Sequence, residues 1–72
     1  MGFNTNPHVA KAVAAEQKAT DATDESSRTQ AWFDAARLWD RAADREKSDK
    51  KASEYRANAE RARAEGETAP AS

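Results

Sequence analysis

Two of every three apolar residues in this chain are alanine, 18 of 27, and that ratio restricts what 72 residues can become. Alanine loses no side-chain entropy in a helix, but it buries little area. The larger apolar side chains number nine: Met1, Phe3, Val9, Val13, Trp32, Phe33, Leu38, Trp39 and Tyr55. Such a chain forms helices readily and has little with which to hold them together. A domain of this size rarely draws more than roughly 3–5 kcal/mol from its core. The expected fold is therefore a single all-α domain without strands, in which close helix approach substitutes for large side chains.

The helices must be cut by caps and by stripe phase, because Gly2, Pro7, Gly66 and Pro70 all lie near the ends. Asn6-Pro7 reads as an N-cap followed by proline at the first helical position, where its missing N–H is no loss. Helix 1 is expected over 7–23, after a flexible segment 1–6. The run Thr23-Asp24-Glu25-Ser26-Ser27 favours caps over helix interiors, and Ser27 with Gln30 makes a capping box. Helix 2 is expected over 28–47. Its residues Ala31, Trp32, Ala35, Ala36, Leu38, Trp39, Ala42 and Ala43 fall on one arc of about 160°. Phe33 lies beyond the edge of that arc.

Nothing forbids helix 2 from running on, but phase argues against it. Carried forward at about 100° per residue, the stripe Ala52, Tyr55, Ala59 and Ala62 points roughly 160° away from the Trp32–Trp39 stripe. A break near Glu46–Asp49, capped by Ser48 or Asp49, lets both stripes face one core. Helix 3 is then expected over 49–65, with Gly66 as its C′ residue and a disordered tail over 66–72. Short turns make neighbours antiparallel, and the bundle spans 7–65.

The pattern Trp32-x-x-Ala35-x-x-x-Trp39-x-x-Ala42 resembles the small-and-aromatic spacing of tetratricopeptide (TPR) helical hairpins. It is similar also to the microtubule-interacting-and-transport (MIT) domain, a three-helix bundle. Tyr55-Arg56-Ala57-Asn58-Ala59-Glu60-Arg61-Ala62 looks like the aromatic-x-x-x-Ala-Glu segment of the MIT third helix. The resemblance covers residues 28–63 and implies a scaffold whose interhelical groove receives a partner's helix or tail. This chain departs from both patterns: alanines stand where MIT helices 1 and 3 carry leucines, and no 34-residue repeat is present.

Site chemistry narrows the functional classes. With no cysteine, disulfide and thiolate chemistry are excluded. His8 is the sole histidine, too little for a metal site or a general base. There is no glycine-rich loop and no Ser/His/Asp set, so no catalytic residue, cofactor or metal is expected. Asp40 and Asp44 lie among Arg37, Arg41 and Arg45 and read as intrahelical ion pairs. Charged residues make up 35% of the chain, both signs mixed, with a net charge of −1, which is not the basic face of a nucleic-acid binder. No apolar run approaches the ~20 residues of a membrane span, and Met1–Pro7 lacks the features of a signal peptide. A cytoplasmic location follows as the expectation. Dominance of Ala, Arg and Asp suggests a GC-rich bacterial or bacteriophage source.

What remains is a non-enzymatic protein–protein interaction or regulatory module. Its expected contact surface is Trp32, Phe33, Ala36, Trp39 and Tyr55, since aromatics dominate interface energetics. Trp39 and Tyr55, and after them Trp32, are read first as core and only second as partner contacts; Phe33 either covers helix 1 or the Phe3 region or anchors a partner. Two other classes are a self-associating structural protein and a nucleic-acid accessory protein, the latter using Lys47, Lys50 and Lys51 for an anionic contact.

Overall fold

In a computed structural model that describes residues 6–67, Asn6 caps the first helix as expected. Its side-chain oxygen accepts from the His8 backbone N–H at 3.1 Å, and Pro7 takes the first helical position. Helix α1 spans Pro7–Asp21, and Ala22 turns out into extended backbone. The expected end at 23 is two residues too long. Asp24 claims that backbone for the next helix.

Helix α2 spans Glu25–Arg45, beginning three residues before the expected start. Its cap is Asp24, not Ser27: the Asp24 carboxylate accepts from the Ser27 backbone N–H at 2.9 Å, which places Ser26 and Ser27 inside the first turn. A carboxylate caps as well as a hydroxyl, and negative charge suits a helix N-terminus. Arg28 reaches back to the Ala22 carbonyl at 3.3 Å, which helps close the short connection.

The break foreseen from stripe phase occurs. Glu46 adopts extended backbone, and Ser48 caps helix α3, Asp49–Glu67, its Oγ accepting from the Lys51 N–H at 3.3 Å. The far end differs from expectation. Gly66 is not a C′ residue; it lies inside α3 and is buried. Asn6, assigned above to a flexible segment, is tied down at both ends of its side chain, its Nδ2 donating to the Ala42 carbonyl at 3.0 Å. Residues 1–5 and 68–72, expected to be flexible, lie outside the described residues.

The three helices form a small antiparallel all-α bundle with α2 at its centre; α1 and α3 each pack along α2 and hardly touch one another. The core is mostly alanine: Ala12, Ala35, Ala36, Ala42, Ala59 and Ala62 are almost completely covered. Small residues at these positions let the helix axes approach closely. Trp39 fills the angle left between α1 and α3. Its indole N–H donates to Glu16 Oε2 of α1 at 2.7 Å, and its ring tilts against Tyr55 of α3 at a centroid distance of 5.6 Å. That single side chain joins all three helices.

The acidic residues of α2 behave differently from the sequence reading. Asp40 and Asp44 pair across to Arg63 and Arg56 of α3, at 3.0 and 3.6 Å, and not within α2. The four side chains are 43–74% exposed, so these pairs align the helices and add little stability.

Candidate functional site

Of the five residues expected to form an aromatic contact surface, three are interior. Ala36, Trp39 and Tyr55 are 2%, 5% and 9% exposed. Their burial follows from scarcity: with so few large side chains, the bundle draws its ring pair inward. Trp32 is half-buried against the core, and Phe33 keeps 37% of its surface exposed. The Phe33 ring lies on α3 at Gly66, and Phe3 falls outside the described residues. Lys47, Lys50 and Lys51 are exposed at the α2–α3 turn, between Glu46, Asp49 and Glu54. The structure thus leaves the expected surface divided, with Trp32 and Phe33 its only accessible rings.

A different feature is assembled along the seam of α1 and α2. A groove of about 490 Å³ has an apolar floor of Ala14, Ala15, Ala31 and Leu38. Its walls are basic: Lys11 and Lys18 on α1, Arg37 and Arg41 on α2. A smaller cavity of about 230 Å³ shares Lys18, Ala31 and Asp34 with it and continues to Ser27 and Gln30. Together they make a trench from Arg41 to Ser27. At about 1.5 Å per residue, that stretch of α2 is roughly 20 Å long.

The electrostatics of the trench are one-sided. Asp34 is its sole carboxylate, and it is held by Arg37 at 2.6 Å. Among the described residues, Lys11, Lys18 and Arg41 have no ion-pair partner. Arg41 is left unpaired because Asp40 and Asp44 turn toward α3. The sequence reading missed this site. A hint existed in Lys11 and Lys18, seven residues apart and so on one face of α1, flanking a stripe of alanines. Which residues of α2 stand opposite depends on packing, which periodicity does not report.

The groove lining holds a single carboxylate, Asp34, which is taken by Arg37, and brings no convergent carboxylates together. Among the described residues, no cluster of His, Cys, Asp or Glu comes together to hold a metal ion, and no helix is long and apolar enough to cross a membrane. His8 sits in the first turn of α1 with its Nδ1 shielded and without a hydrogen-bond partner among the described residues. Compared with protein families, with curated proteins and with solved structures, the chain matches none.

Proposed function

We propose that this chain is a non-enzymatic interaction module that docks a segment of another protein along the seam of α1 and α2. The observation that carries the reading is the trench itself: an apolar floor between basic walls that none of the described side chains fills. Polar rims around an apolar strip are the anatomy of a recognition surface. The groove lining offers apolar contact and charge, and its one carboxylate is held by Arg37, which favours binding over catalysis.

Permanent self-association is less well supported. The exposed large apolar side chains among the described residues are Val13 on α1 and Phe33 on α2, two single side chains that offer little beside the area a stable dimer buries. For nucleic acid, Lys47, Lys50 and Lys51 are interleaved with Glu46, Asp49 and Glu54, which weakens their field.

Site-directed photo-crosslinking tests the reading. A benzophenone side chain at Ala14, in the groove, should capture a partner in the native cell, whereas the same group at exposed Ala57 of α3 should not. Equal capture at both positions would sink the proposal.

A further inference from the structure

Resting on that reading, we infer that the occupant of the α1–α2 trench is an acidic amphipathic helix of a partner protein. Three observations lead there. The floor is alanine with one leucine, and alanines let a third helix lie close, as they already do between α1 and α2. The trench follows α2 from Ser27 to Arg41, roughly 20 Å, which matches three to four helical turns. Its cations are paced as a helix would meet them. Lys11 and Lys18 stand two turns apart on one wall; Arg37 and Arg41 stand one turn apart on the other.

A docked helix would set its apolar stripe on Ala15, Ala31 and Leu38 and send carboxylates from both flanks to Lys11, Lys18 and Arg41. These three cations have no acidic partner among the described residues, so little internal pairing is broken on binding. Arg37 is held by Asp34 and acts as part of the wall. A nucleic-acid backbone would meet the same charges but leave the apolar floor without a partner, and the trench is too open to enclose a small anion. Charge at the rim governs choice of partner and rate of encounter, while the floor supplies contact area.

The test uses the full chain, isotopically labelled, and three synthetic helical peptides of about fourteen residues. All three carry the same Leu/Ala stripe, with Glu, Gln or Lys on its flanks. The Glu peptide should shift the amide signals of Ala14, Ala15, Ala31 and Leu38 and bind at least tenfold more tightly than the Lys peptide. Lys11→Glu with Arg41→Glu, both at exposed sites, should weaken the Glu peptide at least tenfold while leaving the thermal melt in place. Equal binding of all three peptides in the groove overturns the acidic inference and leaves the docking reading standing. No shifted groove signal with any of them overturns both. Shifts confined to Trp32 and Phe33, or stronger groove shifts with a short oligonucleotide, overturn the inference in favour of those alternatives.

Discussion

The ring of Phe33 on α2 ends against the backbone of Gly66 on α3, so closely that a Cβ added to Gly66 would stand 3.1 Å from the ring's Cζ. The two Cε atoms would lie at 3.2 and 3.3 Å. Glycine inside a helix is unfavourable by roughly 0.5–1 kcal/mol relative to alanine. Here the missing Cβ is the seat of an aromatic ring that closes one end of the α2–α3 interface.

That contact couples the two positions. Gly66→Ala should stabilise a Phe33→Ala chain by about 0.5 kcal/mol, the ordinary helix gain. In the unaltered chain the gain should vanish, because the ring must shift to admit the methyl group. A double-mutant cycle by urea denaturation reads the difference. Equal effects in the two backgrounds would mean that the ring is not seated on Gly66.

Phe33→Ala by itself should cost about 1–2 kcal/mol, less than the roughly 3–5 kcal/mol of a fully buried phenylalanine, since 37% of the residue is exposed. An unchanged melting temperature would remove Phe33 from the fold and return it to the surface available to partners.

Trp39 should tolerate far less. Its truncation to alanine costs about 3–5 kcal/mol, comparable with all that a core of this size supplies. Trp39→Ala should therefore be unfolded at room temperature by far-UV circular dichroism. The hydrogen bond to Glu16 separates from the packing: Glu16→Gln retains an acceptor for the indole N–H, whereas Glu16→Leu leaves it unpaired. We expect the leucine variant to be less stable than the glutamine variant by about 1–2 kcal/mol.

Asn6 does two jobs with one amide, capping α1 with its oxygen and tethering it to the Ala42 carbonyl with its nitrogen. Asn6→Ala should cost about 1–2 kcal/mol. Asn6→Asp keeps the cap and loses the tether's donor, so it should fall between wild type and alanine in thermal melts at neutral pH.

Acid should act through Asp24. Hydrogen bonds from Ser27, the backbone N–H foremost, hold its carboxyl below the ordinary value of 3.8. A depressed folded pKa means that the unfolded chain binds the proton more readily. The stabilisation is therefore complete above about 3.8 and is lost as pH falls through the folded value. Asp24→Asn preserves a cap without a titrating proton. The melting temperature of wild type should exceed that of Asp24→Asn at neutral pH, and the gap should close in acid. A constant gap would remove Asp24 from the acid response.

Some of this protein was legible from residue order alone, because each helix carries its own periodicity. The opposed phases of the Trp32–Trp39 and Tyr55–Ala62 stripes placed a break near Glu46–Asp49, and Asn6-Pro7 placed the start of α1. Helix class followed from alanine, and antiparallel order from the short turns. What periodicity cannot express is the angle between neighbouring axes, since it reports direction only about a helix's own axis. Alanine on several faces blurs even that direction. Only packing decided that Gly66 stays helical beneath Phe33, that Glu16 meets an indole, and that Asp40 and Asp44 turn to α3. Packing likewise decided which residues of α2 stand opposite Lys11 and Lys18 along the outer seam of α1 and α2, where Lys11, Lys18 and Arg41 have no acidic partner among the described residues.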